Sequence, residues 1–137
     1  MAYWLVKTEP STWSWQNQKE KRVTHWDGVR NYQASNNMKA MTIGDLCFFY
    51  HSVSERRIVG IVRVCREYYP DHTDETGRFG MVDVEYYADM PIPISLDQIK
   101  LVPELSALAL IRQSRLSVMP IDEKAWNLLC DMGGYKQ

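Results

Sequence analysis

At 137 residues the chain has room for one domain, residues 1–137, and its 45% hydrophobic and 24% charged content matches an ordinary globular core. A formal net charge of −1 excludes bulk electrostatic attraction to nucleic acid, and no apolar run approaches the ~18 residues of a membrane span. Tyr3-Trp4-Leu5-Val6 is too short and too weakly flanked for a signal peptide, so a cytoplasmic location is expected, or a nuclear one in a eukaryote.

Tyr3 to Lys7 reads as a short buried strand that Pro10 closes. Thr12 to Arg22, with Trp13 and Trp15 in a polar background, predicts a short helix and loop. Thr24 to Trp26 predicts a brief strand before the Asp27-Gly28 turn, and a helix follows from Asn31, its N-cap, to Met41. Leu46 to His51 is apolar on both faces and hence a central strand; Ile58 to Tyr68 returns beside it, with Gly60 marking a bulge or tight bend. Pro70 to Gly80 is a polar loop, and Met81 to Tyr87 alternates as a half-buried strand does. Pro91 and Pro93 confine residues 90–94 to an edge strand or connector. Ser95 with Gln98 forms a capping box, and a short helix is expected around 104–110. Arg115 to Met119 is a last strand ended by Pro120. A final helix is capped by Asp122, stapled by Ile121 and Trp126, and stopped by Gly133. The pattern is a mixed α+β, barrel-like domain of five or six strands with short helices around them.

Residues 26–38 do not fit a core element. They mix Trp26 and Tyr32 with amides and Arg30, a composition that is costly to bury unpartnered and that suits a planar, hydrogen-bonding ligand such as a nucleobase. A helix entry capped by Asn31 explains part of the same pattern. Further polar residues gather at strand ends, at Lys7-Thr8-Glu9, His51-Ser52 and Arg112 to Arg115. They could rim one mouth of the barrel. Trp26, Tyr32 or Tyr50 would stack a base, Asn31, Gln33 and Ser52 would meet its edge, and Lys7, Arg30, Arg112 and Arg115 would hold flanking phosphates. Tyr50 and Trp26 also read as core aromatics, and His51 as a structural histidine bonded to backbone. Charge is unevenly placed: residues up to 39 are mostly basic, while 67–89 carries seven carboxylates against Arg78 within its acidic part. A few phosphate contacts are compatible with that, and the salt dependence should be shallow.

Catalytic signatures are missing. His51 and Ser52 are adjacent on one strand and point to opposite faces, so they form no dyad, and no nucleophile elbow, deaminase zinc motif or phosphate-cradling glycine loop occurs. Cys47, Cys65 and Cys130 are odd in number and far apart, and with His25, His51 and His72 they lack metal-ligand spacing. No catalytic residue, metal or cofactor is therefore expected.

Five stretches in order, Tyr3 to Pro10, Trp26 to Ala34, Gly44-Asp45 with Phe49 to Ser52, Tyr69-Pro70-Asp71 with Val82-Asp83-Val84, and Arg115 to Pro120, resemble the EVE domain family. The resemblance implies a PUA-like fold, a small mixed β-barrel with peripheral helices related to YTH and ASCH domains. It also implies non-catalytic binding of modified bases, 5-methylcytosine and its oxidised forms in DNA, or modified RNA. On that basis the pocket is expected to comprise Trp26, Asn31, Tyr32, Tyr50, His51, Ser52 and Thr8, with Lys7, Arg30, Arg112 and Arg115 as a phosphate-holding rim, in a monomer without a membrane partner. Thr8 stands where many members carry serine, Ser35 where arginine is usual, and no tryptophan precedes Val82. The rival functions are a small enzyme acting on nucleotides or RNA, and a protein-interaction adaptor.

Overall fold

In the computed structural model, which describes residues 1–137, the apolar runs become strands of one mixed sheet. In chain order these are β1 (Tyr3–Thr8), β2 (Val23–His25), β3 (Leu46–His51), β4 (Arg57–Pro70), β5 (Gly80–Ser95) and β6 (Val118–Ile121), arranged as β2-β5-β4-β3-β1-β6. β1 runs parallel to β3, with Thr8 opposite His51, and antiparallel to β6, with Leu5 opposite Met119. The α+β class is as expected, with six strands. The outer strands β2 and β6 do not pair with each other, so hydrogen bonds do not close the sheet into a barrel.

Prolines set the main departures from the sequence expectations. β5 continues through Pro91 and Pro93 as one strand to Ser95. It can, because β2 covers only Val84 and its neighbours on one side, leaving the proline segment as a free edge where a missing N–H breaks no ladder. The Ile92 N–H between the two prolines donates instead to the Gly133 carbonyl. β6 likewise contains Pro120, on the outer strand of the sheet.

Five α-helices flank the sheet: α1 (Trp15–Lys21), α2 (Tyr32–Lys39), α3 (Leu96–Lys100), α4 (Ala109–Arg112) and α5 (Glu123–Met132). Capping side chains define the starts of four of them. Ser14 and Asn17 close a capping box on α1, Asn31 accepts from the Ala34 N–H on α2, Ser95 and Gln98 box α3, and Asp122 accepts from the Ala125 N–H on α5. The helix expected over 104–110 divides into a 3-10 turn at Pro103–Leu105 and α4. No helix is long and apolar enough to cross a membrane.

Aromatic packing fixes the layers. Trp126 of α5 is fully buried, stacked on Phe48 at 3.9 Å and on Tyr3 at 4.4 Å, and so seats the last helix on β3 and β1. Trp15 of α1 lies on the backbone of Gly60, where any Cβ would come within 2.1 Å of the indole. Glycine there supplies room for a ring at the register shift between β4 and its neighbours. At the start of β1, buried Asp45 accepts from the Ala2 N–H, the Trp4 indole and both Thr42 donors; burial opposes its charge, but these bonds outweigh it and hold its pKa below the usual range. Cys47 and Cys130 are buried, and burial pushes the Cys130 thiol up to about 12; Cys65 is half-buried.

A candidate base-binding cleft

The C-terminal ends of β1 and β3 lie side by side, and segments before α1, after β2, between β4 and β5 and before β6 join β1 in lining one cavity. Between them opens a cleft of about 510 Å³. Its apolar lining is Trp13, Trp26 and Val29, and its polar lining includes Lys7, Thr8, His25 and Arg30.

Trp26 leaves β2 with its backbone N–H donated to Val82, and its ring packs edge-on against Phe49 at 5.6 Å. The other four tryptophans each donate their indole N–H within the protein: Trp4 to Asp45, Trp13 to Gln18, Trp15 to Asp89 and Trp126 to Gln137. Trp26 has no such partner, although only 7% of the residue is exposed. No buried side-chain nitrogen or oxygen lacks a partner anywhere in the chain, so this unpartnered N–H is not fully buried, and the residue that carries it lines the cleft. A cleft-lining ring held by packing on Phe49 thus carries an indole N–H that the protein itself leaves without a partner.

His25 stands beside it. Its Nδ1 lies 2.9 Å from the Asp83 carboxylate, which also accepts from the Tyr69 hydroxyl. A carboxylate only accepts, so in the neutral ring the proton sits on Nδ1 and Nε2 is left as an acceptor. Half of the His25 side chain is exposed, and His72 lines the same cleft 5.7 Å away.

Asp71 holds the far wall. Its side chain is fully buried and accepts from the Gly28 N–H at 2.9 Å, the Arg30 guanidinium at 3.0 Å, and the Thr73 N–H and hydroxyl at 2.7 and 2.6 Å. Burial works against its charge, but these donors prevail and draw its pKa down to about 2. Gly28 has φ +80°, a left-handed conformation that brings its N–H to Asp71 at little steric cost. Arg30 also donates to Thr73, so its guanidinium is fixed at the lip with 39% of the side chain exposed.

Lys7 forms the opposite lip. Its ammonium donates to the Ser114 carbonyl at 3.0 Å and sits over the Tyr50 ring at 5.7 Å, and burial lowers its pKa. The Thr8 hydroxyl donates to the Trp13 carbonyl. No three His, Cys, Asp or Glu side chains gather as a metal site.

The structure therefore brings Thr8, Trp26, Lys7 and Arg30 of the sequence-selected residues together around one cleft. It places the others elsewhere. Asn31 is occupied as the α2 cap, accepting from the Ala34 N–H at 2.9 Å. Tyr32 is 60% exposed and packs on Phe79, outside the cleft. Tyr50 is a core residue, its hydroxyl pushed up to about 12 by burial, and it serves as the floor beneath Lys7. His51 is buried with both nitrogens engaged: Nε2 accepts from the Trp15 N–H and Nδ1 therefore donates to Glu55. Arg112 donates to the Ser106 carbonyl beyond the cleft. Ser52 and Arg115 line a neighbouring groove that shares Lys7, Thr8 and Ser117 with the cleft. Ser35, at the position where arginine is usual, is buried against the Tyr68 hydroxyl.

Sequence reasoning missed Trp13, His25, Asp71 and Asp83 as builders of this site. Two signals touched the carboxylates, the acidic excess between 67 and 89 and the family-like stretches Tyr69-Pro70-Asp71 and Val82-Asp83-Val84, but neither shows that the fold turns Asp71 and Asp83 inward.

Among solved structures, a protein from Agrobacterium tumefaciens is similar with TM-score 0.94 and 46% identity, over 98% of this chain and 94% of that one. Human THYN1 protein, crystallised in complex with 5-methylcytosine-containing DNA, is similar with TM-score 0.92 and 29% identity over 100% of both chains. Thymocyte nuclear protein 1 of Rattus norvegicus is 32% identical over 95% of this chain and 73% of its own length. The EVE domain model matches residues 2–132, and on this sequence, fold and set of relatives the chain belongs to the EVE domain family.

Proposed function

We propose that this chain is a non-catalytic module that takes one modified base, of the 5-methylcytosine type, out of a DNA strand and holds it in the cleft beside Trp26. The observation that carries the reading is the indole N–H of Trp26, a cleft-lining residue, which alone among the five tryptophans has no partner within the protein. Beside it the acceptor nitrogen of His25 and the carboxylate of Asp27 suit an exocyclic amine. Cytosine presents an acceptor edge and such an amine, whereas thymine carries the same methyl group but an acceptor in place of the amine. Trp13, Trp26 and Val29 supply apolar surface for the methyl, and Lys7 and Arg30 at the lips would steady the phosphate of the extracted nucleotide. The engagement of both His51 nitrogens in structural bonds supports binding without catalysis. The relative bound to 5-methylcytosine-containing DNA supports DNA as the partner.

Extraction from a duplex costs a few kcal/mol, and contact with an aromatic wall returns about 1–3 kcal/mol. Hydrogen bonds and fit then decide selectivity. A buried methyl adds about 0.8 kcal/mol, roughly fourfold in affinity. Titrating matched oligonucleotides carrying cytosine, 5-methylcytosine or thymine at one position should give the order 5-methylcytosine, cytosine, thymine, with a step of about fourfold or more at the methyl. An RNA arm with the same bases should bind more weakly. Equal affinity for all three DNA oligonucleotides contradicts the reading.

A further inference from the structure

A second groove, of about 650 Å³, runs from the cleft across the ends of β1 and β3 and under the turn that joins β3 to β4. The two cavities share Lys7, Thr8 and Ser117 in their linings, so they adjoin along these residues. Arg56, on the β3–β4 turn, and Arg115, before β6, both line it, together with Ser52 and Ser114. Neither arginine makes an ion pair or a side-chain hydrogen bond, whereas the adjacent Arg57 pairs with Glu55 at 3.1 Å. Glu9 is the one carboxylate in the lining. The groove therefore presents three cations, Lys7 included, against one anion, on a chain whose overall charge is −1.

The turn that aims Arg56 is itself unusual. Val53 and Arg56 both hold left-handed backbone, at φ +69° and +50°, a region that β-branched residues in particular avoid. Val53 is also 65% exposed at the groove edge. Backbone strain of this kind persists where surrounding structure enforces it, and it clusters at ligand clamps.

We infer that this groove is a second binding site, which holds the backbone phosphates flanking the extracted nucleotide, with Arg56 and Arg115 as the contacting cations. The inference rests on the base-binding reading, since it needs a strand that continues past the cleft. It adds positioning without sequence information, because guanidinium–phosphate contacts read no base. A closed anionic strand also explains why a nearly neutral protein would keep these arginines unpaired.

The test compares wild type, an Arg56→Gln/Arg115→Gln double variant and an Arg112→Gln control on a single-stranded oligonucleotide with one 5-methylcytosine, by anisotropy across a salt series. Each neutralised single-strand phosphate contributes about 0.7 to the slope of log affinity against log salt. The double variant should lose about 1.4 from that slope and bind more weakly by the same factor to methylated and unmethylated oligonucleotides. Arg112→Gln should leave the slope unchanged. Replacing the phosphodiesters flanking the modified base with uncharged methylphosphonates should abolish the difference between wild type and double variant. A wild-type slope in the double variant, an equal loss in Arg112→Gln, or an undiminished difference on the methylphosphonate oligonucleotide overturns the groove assignment. Failure of the base reading shows separately, as a wild type that does not prefer 5-methylcytosine. Thermal unfolding of the double variant should match wild type, since both side chains are exposed and unpartnered.

Discussion

Replacing Asp71 with alanine is expected to lower folding stability by about 2–3 kcal/mol and to weaken oligonucleotide binding as well. The carboxylate is fully buried and accepts from Gly28, Arg30 and Thr73, so its removal leaves two backbone N–H groups, a guanidinium and a hydroxyl to find other partners at once. Because those donors hold the wall and lip of the cleft, the stability loss and the binding loss share one cause. The wild-type protein should also show the group in its pH dependence. The folded pKa, about 2, lies below the usual carboxylate value, so the stabilisation is complete above about pH 4 and is lost as pH falls through 2. Urea unfolding at pH 6 and at pH 2.5 should therefore show the variant's deficit shrinking at the lower pH. A deficit that stays constant would place Asp71 outside this network.

Trp26→Phe should weaken binding to a 5-methylcytosine oligonucleotide about tenfold, because the ring that packs on Phe49 is largely kept while the one open indole donor is removed. The loss should be the same for cytosine and 5-methylcytosine, since the acceptor edge is common to both. Trp26→Ala removes the apolar wall too, and the preference for the methyl should then fall toward unity. That second variant also leaves a core cavity and should cost about 3–5 kcal/mol in stability, so its binding is to be read only where it is folded. If Trp26→Phe binds like wild type, the indole N–H does not touch the ligand.

Much of the fold was legible because the local signals agreed with one another. Leu46 to His51 is apolar on both faces and is a central strand; Asn31, Ser95 and Asp122 sit where caps are needed and do cap. The extent of β5 was not legible, since Pro91 and Pro93 forbid a central strand and nothing local reveals that their segment is an edge. The lining of the candidate cleft was legible in part. Trp26 and Arg30 were marked by a composition unsuited to a core, and Lys7 and Thr8 by their place at a strand end. The composition argument also selected Asn31, whose side chain caps a helix, and the strand-end argument drew in Tyr50, a buried phenol. Hydrogen-bond demand can be read from a sequence, but its partner cannot. His25, Asp71 and Asp83 escaped for the converse reason: their roles depend on contacts between residues 41 to 58 positions apart.

Nuclear magnetic resonance of the tryptophan indole N–H groups tests the central claim most directly. Four of the five are bonded within the protein, and Trp26, which lines the cleft, alone has its indole donor free. Adding an oligonucleotide with a single 5-methylcytosine should shift the Trp26 indole resonance downfield and slow its exchange with solvent, with smaller changes at the Thr8 and Gly28 amides. A Trp26 indole that stays unshifted and rapidly exchanging in the saturated complex, while resonances elsewhere move, would contradict the account.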